Sequence, residues 1–465
     1  MRIAREESYI SSNWFSFGLA RVAALIIVVF FLGSGAVAQE TDTIPDNEFS
    51  ISASLVNRGE LRAGGFNPDS LDNQRRTQFI MGRYTISLNY KRSWLEVMLT
   101  PQFAGVWGHS AGSLTLKEAW VNMRSRHGLF AKIGRQGLEY DDERIIGHDD
   151  WVMTAPTHDV AKFGYEGFGH KVHAILAYNQ NAANIETGTT YYSGGMQPYK
   201  TMQTLWYHYD TPKSLLGFSL IGMNIGMQEP DKEKPKTYYQ QLFGTFVALK
   251  PKYTNLEGAF YYQTGREEHG IPLSAFMGSV KLTATPIEAL KIRVGYDYLS
   301  GDKYFNIPHQ GQLGMVFHDK IRGFSPVFGS HHAFYGAMDF FYLDSYVGNF
   351  TPGLQNLYLG VSAEPVMNMN VSAAYHFFAI AANIENLKKP LGHQVEAEAS
   401  YTFAKFVKVA AGYTYMRGTK TMEVLQKVDK NRRLHWGWVM ISVTPTVFST
   451  SWLDKKKRNN KDIVK

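Results

Sequence analysis

Residues 79–90 read FIMGRYTISLNY, and their side chains change in character at every second position. One set is polar: Arg83, Thr85, Ser87 and Asn89. The alternate set is apolar or aromatic: Ile80, Tyr84, Ile86, Leu88 and Tyr90. Successive side chains of a β-strand point to opposite faces. The stretch therefore predicts a strand with one wet face and one apolar face.

The same alternation recurs along most of the chain, for example over residues 290–298 and 393–402. In residues 290–298 the apolar set includes Ile292 and Val294, and the polar set includes Lys291 and Arg293. We predict about eighteen such strands. Their centres lie near residues 54, 84, 99, 119, 133, 162, 175, 205, 220, 245, 258, 279, 294, 360, 374, 398, 411 and 439. The pattern is weakest near 54, 220 and 439, because both faces there are mixed.

The predicted connections alternate between short turns, such as Lys91-Arg92 and Pro251-Lys252, and longer polar loops. The longest connection runs from about Ser300 to Thr351. This alternation is typical of outer-membrane barrels, which have tight periplasmic turns and longer extracellular loops. A sheet that spans a bilayer must close, because hydrocarbon cannot satisfy a free edge. We therefore predict an all-β fold, a single closed antiparallel up-and-down transmembrane β-barrel. A soluble propeller is disfavoured, because the sequence has no repeat of the required period.

The composition supports a barrel and excludes several kinds of site. Of 465 residues, 14% are aromatic and 19% are charged, against roughly 25% charged in an average soluble protein. The chain has no Cys, which excludes disulfides, thiolate metal sites and cysteine nucleophiles. The net charge is +7, but residues 454–465 contain six Lys or Arg and only two Asp. A basic tail of this kind gives little support to nucleic-acid binding, and none is predicted.

The N-terminus has the features of an export signal. Arg2, Arg5 and Arg21 precede the apolar run Val22–Leu32, and an Ala36-Val37-Ala38 triplet follows. Eleven apolar residues are too few for a spanning helix, and a small-residue triplet of this kind is a cleavage site. We predict a signal peptide over residues 1–38, a barrel over 39–448 and a basic tail over 449–465.

The wet faces of the strands predict the lining of the lumen. The predicted lumen cations are Arg83, Arg124, Lys132, Lys162, Lys171, Lys281, Lys291, Arg293 and Lys408. The predicted lumen anions are Glu96, Glu118, Glu257, Asp297, Glu396 and Glu398. A barrel of this size leaves an aqueous channel, and fixed charge in a narrow pore selects counter-ions. The alternative is that these residues pair across strands and only stabilise the wall.

Two further segments carry chemistry-bearing side chains. The connection over 300–351 is aromatic around residues 324–341, so we expect it to fold into the lumen as a constriction. His331 and His332 are adjacent and would point in opposite directions in a strand. His148, Asp149, Asp150, His158 and Asp159 lie on or beside a predicted loop. We predict no metal site, no cofactor and no catalytic residue. A Ser–His pair on neighbouring strands stays open as an alternative.

A group of motifs between residues 118 and 166 resembles the alginate-export family of outer-membrane barrels. They are Glu118-Ala-Trp120, Lys132-Ile-Gly-Arg-Gln136, Asp142-Glu-Arg-Ile-Ile-Gly147 with Trp151, and His158-Asp-Val-Ala-Lys162. The stretch His332–Phe341 is similar to the long loop of that family, and the resemblance spans residues 50–448. It implies an eighteen-stranded barrel with a positively lined lumen for an anionic polysaccharide or small anions. It also implies that charges at the motif positions Arg135, Arg144, Asp159 and Lys162 belong to the pore constriction and its supporting network.

Together these observations predict a non-enzymatic channel in the bacterial outer membrane. It would pass anionic solutes or saccharides such as uronate polymers. The expected partners are outer-membrane lipid, the solute in transit and the barrel-assembly machinery. A non-selective general porin and a barrel-embedded hydrolase stay open as alternatives.

Overall fold

The computed structural model describes residues 47–64, 76–109, 112–181, 191–192, 195, 197–229, 235–303, 320–341, 351–426 and 433–451. Nine strands form the first half of the sheet: β1 (Glu48–Ala63), β2 (Arg76–Lys91), β3 (Leu95–Val106), β4 (Ser113–Arg124), β5 (Leu129–Gln136), β6 (His158–Gly167), β7 (His170–Tyr178), β8 (Thr201–Asp210) and β9 (Leu216–Gln228). The next nine are β10 (Thr237–Leu249), β11 (Thr254–Arg266), β12 (Pro272–Ile287), β13 (Leu290–Leu299), β14 (Leu354–Ala363), β15 (Met369–Ala379), β16 (Pro390–Phe403), β17 (Val407–Gly418) and β18 (Arg433–Val443). A short β19 (Thr446–Ser449) follows.

These strands form one closed antiparallel barrel. Each of β1 to β18 pairs with its neighbours in sequence, and β18 closes the sheet by pairing with β1 from Val443 opposite Leu55 to His435 opposite Ala63. Strand β19 continues the same edge, with Ser449 opposite Ser50. The interruption between β18 and β19 contains Pro445, which has no backbone N–H to donate to the ladder. The predicted eighteen-stranded up-and-down barrel is confirmed, and each predicted strand centre lies within an observed strand.

Connections at one end of the barrel are two to five residues long. Those at the other end are mostly longer, and the longest spans residues 300–353. In outer-membrane barrels the short turns face the periplasm, so the long loops face outward. A short helix, α1 (Lys420–Gln426), lies in the last long loop, and 3₁₀ turns occupy Pro212–Ser214 and His331–Ala333. Among the described residues, the helices are too short or too polar to cross a bilayer.

The outer face of the barrel is apolar. Ile86, Leu220 and Val439 expose 54%, 51% and 60% of their surface, although each is a large hydrophobic residue. Contiguous exposed apolar surface of this extent needs an apolar environment, and on a closed barrel this is the bilayer. Ile292 and Val294 lie on this face, and Arg293 points to the lumen, as the alternation predicts.

The inner face is wet on one side of the barrel and apolar on the other. Toward the long-loop end, inward side chains of β6 to β12 such as Ile175, Met223 and Met277 are almost fully buried and belong to one hydrophobic cluster. The inner face of these strands is therefore apolar near the long loops, and the wet face that the alternation predicts does not extend over this part of the lumen. The mixed pattern near residue 220 has this cause: Leu220 faces the bilayer, and Ile221 packs inside the barrel.

Gly134, in the Lys132–Gln136 motif, has a conformation that a side chain would not tolerate. Its φ is +123°, and a Cβ atom there would lie 2.2 Å from the carbonyl oxygen of Ala119 on β4. We expect Gly134→Ala to lower the free energy of unfolding by about 2 kcal/mol or more, because strained backbone and steric overlap combine. Urea titration of the refolded barrel in vesicles, followed by tryptophan fluorescence, measures this change.

Gly278 on β12 is the matched control. Its φ is not in the left-handed region, and a Cβ there has its nearest contact at 3.9 Å. Gly278→Ala should leave the urea midpoint nearly unchanged. Equal midpoints for the two variants would contradict the strained conformation of Gly134.

The predicted signal peptide, over residues 1–38, lies outside the described residues, as does the predicted tail beyond residue 451. Their boundaries stay predictions. The last strand ends at Ser449, one residue beyond the predicted end of the barrel.

Candidate functional site

Two segments from the long-loop end enter the lumen and pair with each other. We call residues 137–157 the β5–β6 loop and residues 320–341 the inner segment. Ile146 and Phe328 form a parallel bridge, and the N–H of Phe328 donates to the carbonyl of Ile145 at 3.0 Å. The Ser330 hydroxyl donates to Glu143 at 2.7 Å. The described part of the long connection thus narrows the lumen, as its aromatic composition predicts.

Arg144 fixes the two segments to each other and to the wall. Its side chain is 2% exposed and forms an ion pair with Asp297 on β13, with 3.0 Å between Nη1 and Oδ1. It also pairs with Asp142 and lies 4.2 Å from the centroid of the Phe334 ring. Burial opposes a charged guanidinium, but these carboxylates outweigh it, and the pKa of Arg144 rises above its usual value. Arg144 is therefore a permanent cation inside the barrel.

A line of polar contacts continues from Arg144 along the wall. The Asn356 amide on β14 donates to Asp297 at 2.9 Å and contacts His376 on β15 through its oxygen, also at 2.9 Å. His376 reaches Glu396 on β16 at 3.5 Å. Glu396 accepts a hydrogen bond from the backbone N–H of Ala337 in the inner segment at 2.9 Å. Four adjacent strands thus anchor both inserted segments.

Trp151 anchors the β5–β6 loop on the far side of the lumen. Its ring stacks on His332 with 4.0 Å between centroids and contacts Trp436 and Trp438 of β18 edge-on. The guanidinium of Arg58 on β1 lies 3.8 Å from the centroid of the Trp151 ring. Arg58 in turn pairs with buried Glu60, at 2.9 Å. A cation held over a desolvated indole is a favourable contact, so this cluster resists displacement of the loop.

The His and Asp side chains around Trp151 form hydrogen bonds with other groups of the protein. Asp149 accepts hydrogen bonds from the backbone N–H groups of Trp151 at 3.0 Å and His332 at 3.1 Å. The His332 imidazole contacts Asp339 at 3.0 Å. Burial raises the pKa of Asp339, although His332 opposes the shift. Lys117 and Arg83 outweigh the burial of Asp150 and hold the pKa of that carboxyl below its usual value.

Among the described side chains, His148, Asp149, Asp150, His158, Asp159 and His332 do not form a group of three with the geometry of metal ligands. Within the described residues, one group of three has ligand atoms close enough to share an ion: Glu267, Glu268 and His269, in the loop between β11 and β12. This group is partly exposed, and exposed acidic clusters are common without an ion. The structure gives no reason to place chemistry there.

Beside the inner segment, open space remains along β13 to β18. A cavity of about 520 Å³ lies there, lined by Arg293, Lys408, Glu396 and Glu398 together with Trp151, Trp438 and many small side chains. A smaller cavity of about 100 Å³ shares Arg293, His332 and Glu396 with it. The two cavities are therefore adjacent on this side of the inner segment.

A second group of cations faces the lumen on β5 and β6. Lys132 and Lys162 lie directly opposite each other across these strands. The ammonium of Lys132 lies 3.7 Å from the centroid of Trp120, and that of Lys162 lies 5.8 Å from the centroid of Phe130. In the part of the chain that the structure describes, neither ammonium forms an ion pair. Like charges directly opposite destabilise a sheet, so this arrangement needs a compensating role.

Eleven of the fourteen predicted pore residues lie on the inner face of the wall: Arg83, Glu118, Arg124, Lys132, Lys162, Lys281, Lys291, Arg293, Asp297, Glu396 and Glu398. Arg144 lies in the lumen on the β5–β6 loop. Several of these residues have partners, since Lys281 pairs with Glu257, Arg124 with Glu166, and Arg83 with Asp150. The sequence therefore locates the inner face but not which of its charges are paired.

Arg135 and Asp159 lie elsewhere, and this differs from the prediction. They are directly opposite each other on β5 and β6 and form a bidentate pair, with N–O distances of 2.8 and 2.7 Å. Ile133 lies two residues before Arg135 on β5 and therefore on the same face, and it is 41% exposed. The pair therefore lies on the outer face near the long-loop end. The family motif suggested a pore position, whereas the strand alternation assigns Lys132 and Arg135 to opposite faces.

The sequence prediction also missed residues that matter to the site. Asn356, His376 and Glu60 lie on inner faces and bind the wall residues that contact the inserted segments, namely Asp297, Glu396 and Arg58. Alternation within β14, β15 and β1 identifies that face. The hydrogen bond between His376 and Asn356 joins residues 20 positions apart, and the one between Trp436 and Glu60 joins residues 376 positions apart. Alternation along a strand carries no information on such contacts.

Residues 108–390 match the model of the alginate export family. The chain belongs to the alginate export family. The match covers more than half of the chain, and it includes the motifs at Glu118–Trp120, Lys132–Gln136 and His158–Lys162. No curated protein matches this sequence.

Solved structures of similar fold are outer-membrane porins. OccK9 (OpdG) of Pseudomonas aeruginosa is 13% identical with a TM-score of 0.58, covering 85% of this chain and 98% of its own. OccK2 (OpdF) of the same organism, solved in complex with glucuronate, is 12% identical with a TM-score of 0.57, covering 86% and 98%. A BenF-like porin from Pseudomonas fluorescens Pf-5 is 11% identical with a TM-score of 0.58, covering 86% and 99%. The family and the barrel place this chain in the bacterial outer membrane as a channel.

Proposed function

We propose that this channel passes anionic solutes of the size of uronates or short acidic saccharides. The observation that carries the proposal is the cross-strand pair of Lys132 and Lys162 on the inner face. Neither ammonium has a carboxylate partner within the described residues, so both act on ions in the lumen. A permeating anion compensates the like charges of the wall.

The opposite wall also presents cations to the open space. Arg293 and Lys408 line the open space beside the inner segment, and neither forms an ion pair with a described residue. The nearby Glu396 is occupied by hydrogen bonds from Ala337 and Gln394, both at 2.9 Å. Glu398 is the other carboxylate of this cavity, so its two cations and two carboxylates balance in formal charge. An anion therefore meets cations on both sides of its path.

Removal of the two lysines should weaken anion preference. At about 8 Å in water one unit charge changes the energy of an ion by about 0.5 kcal/mol, roughly twofold in occupancy. We expect Lys132→Gln with Lys162→Gln to lower the chloride occupancy of the lumen about fourfold, and the chloride-to-potassium permeability ratio by at least that factor, because potassium is repelled less. The measurement is the reversal potential of single channels in a tenfold KCl gradient.

The matched control replaces two lysines in the turn between β10 and β11, Lys250→Gln with Lys252→Gln. It removes the same formal charge outside the lumen, and its reversal potential should stay near that of the unmodified channel. A permeability ratio that is equal in both double variants would contradict the role of Lys132 and Lys162. Glucuronate, the ligand of one structural neighbour, is a suitable test anion: it should block or carry current in the unmodified channel and less so in the Lys132/Lys162 variant.

A further inference from the structure

Asp141 of the β5–β6 loop begins a series of polar contacts that ends on the barrel wall. Its carboxylate accepts a hydrogen bond from the indole N–H of Trp206 on β8 at 3.1 Å and contacts the hydroxyl of Ser219 on β9. Ser219 and His208 of β8 are directly opposite each other, with 2.8 Å between Oγ and Nδ1. Nε2 of His208 lies 3.0 Å from the carboxylate of Asp210. We call Asp141, Ser219, His208 and Asp210 the loop-to-wall network.

The loop-to-wall network lies against aromatic rings inside the barrel. Ser219 is fully buried, and Trp206 is 6% exposed. The Trp206 ring stacks on His208 with 5.4 Å between centroids and contacts Tyr140, the residue before Asp141, at 4.9 Å. Serine, histidine and aspartate also form the triad of serine hydrolases, but burial of Ser219 keeps a substrate carbonyl away from its Oγ. The contacts of the network therefore hold the loop rather than present a nucleophile.

The three contacts of the network need one proton each. The Ser219 hydroxyl supplies one proton, and a neutral His208 imidazole supplies another. Both end groups are carboxylates, which only accept hydrogen bonds when they are ionised. One contact therefore brings two lone pairs together unless the network binds a further proton. Because a partly satisfied buried network is costly, docking of the loop is coupled to binding of this proton.

The surrounding charges favour Asp141 as the carrier of the proton. Burial raises the pKa of Asp141, and the neighbouring Asp142 raises it further, whereas its hydrogen bonds and the charge of His208 oppose the shift. Lys171 on β7 lies directly opposite His208, and its positive charge disfavours a second proton on the imidazole. The other ionisable groups around the network are Arg144 in the loop, Glu166 on β6 and Tyr261 on β11.

We propose that the loop-to-wall network is a proton-binding site that fixes the β5–β6 loop to the wall of the barrel. With the proton bound, Asp141 donates to Ser219, and Ser219 donates to Nδ1 of His208. Nε2–H of His208 then donates to Asp210, so that every contact has its proton. When the pH rises, Asp141 releases its proton to the water of the lumen. Its carboxylate then faces a hydroxyl oxygen whose own proton is directed at His208.

Loss of the proton weakens the docking of the loop. The docked loop binds the proton more tightly than a free loop does, because burial raises the pKa of Asp141. The contribution of the proton to docking is therefore complete at low pH and is lost as the pH rises through this raised value. Arg144, which fixes the constriction, belongs to the same loop. The constriction should therefore fluctuate more at higher pH, whichever solute passes through it.

The test records single-channel current noise of the refolded full-length barrel in symmetric KCl between pH 4 and pH 8. In Asp141→Asn the amide donates to Ser219 without a titrating proton and keeps an oxygen for Trp206. His208→Phe keeps a ring beside Trp206 and leaves the Ser219 hydroxyl to donate to Asp141 at every pH. Glu268→Gln, which changes a 43% exposed carboxylate in the loop between β11 and β12, is the matched control. Heat-modified mobility on gels verifies that each variant is folded.

We expect the noise of the unmodified barrel to rise about twofold or more toward pH 8, because the loop loses a contact with its proton. Asp141→Asn and His208→Phe should each keep the low noise of acidic pH throughout, and Glu268→Gln should follow the unmodified barrel. Other lumen carboxylates titrate in every variant, so the comparison isolates Asp141. A flat profile of the unmodified barrel, or an equal rise in the Asp141→Asn barrel, overturns the proposal. The noise does not depend on which ion carries the current, so failure of the proposed anion preference leaves this test intact.

Discussion

Replacing residues 304–349 with a four-residue Gly/Ser turn is expected to raise the single-channel conductance several-fold. The replacement removes the inner segment, which the structure places across the lumen and against β11, β13 and β16. The backbone N–H of Asp302 donates to the carbonyl of Thr351 at 2.8 Å, so a short turn closes the gap without strain. An eighteen-stranded barrel has room for a wide aqueous path, and of the two inserted segments only the β5–β6 loop still enters it after the replacement. Planar-bilayer recording measures the change.

The matched control shortens a different loop whose ends also meet. The N–H of Glu229 donates to the carbonyl of Lys236 at 2.8 Å, and a Gly/Ser turn replaces residues 230–235 there. This variant should conduct like the unmodified channel. If the loss of residues 304–349 leaves the conductance unchanged, the inner segment does not limit the current and the constriction lies elsewhere.

Asp297→Ala is expected to lower the free energy of unfolding by about 3 kcal/mol, the second large effect. Removal of one partner of a buried ion pair leaves the other charge uncompensated. Such a removal costs about 3 to 5 kcal/mol. Because Arg144 keeps its contact with Asp142, we expect a cost at the lower end of this range. Asn356 also loses the acceptor of its amide hydrogen bond. Urea titration of the refolded barrel gives the free energy.

Arg124→Ala is the matched control for an exposed pair. Arg124 and Glu166 are 44% and 31% exposed, and exposed ion pairs contribute at most about 1 kcal/mol. The Asp297→Ala barrel should also show larger current fluctuations, because the inserted segments lose an anchor on the wall. A loss of stability no greater than that of Arg124→Ala would show that Arg144 does not hold the constriction.

Local periodicity was sufficient to predict the barrel from the sequence. A strand that separates lipid from water must alternate, and residues 79–90, 290–298 and 393–402 do so. The family motifs then located the β5–β6 loop, where Arg144 lies. The apolar side of the lumen could not be predicted from the sequence. Ile175, Met223 and Met277 point inward and pack in a cluster with residues of the inserted segments, rather than facing lipid. Such inner positions interrupt the alternation of polar and apolar residues, and the sequence alone does not distinguish them from random departures from it.

Contacts between residues that are distant in the sequence could not be predicted from it. The contacts from Arg144 to Asp297 and from Glu396 to Ala337 join residues that no local pattern relates. Arg135 and Asp159 show a different limit. Their motif position indicated the pore, but the alternation within β5 already placed Arg135 beside Ile133 on the outer face. Where a motif and a strand pattern disagree on the side of the wall, the pattern has the direct physical basis.

The most direct measurement is the reversal potential of the refolded mature barrel in a planar bilayer under a KCl gradient, with and without glucuronate on one side. We predict steady conductance, a reversal potential on the anion-selective side, and a current that glucuronate alters. An anion-selective result that disappears in the Lys132→Gln/Lys162→Gln barrel would support the proposed path. Cation selectivity, or conductance without any charge preference, would contradict it.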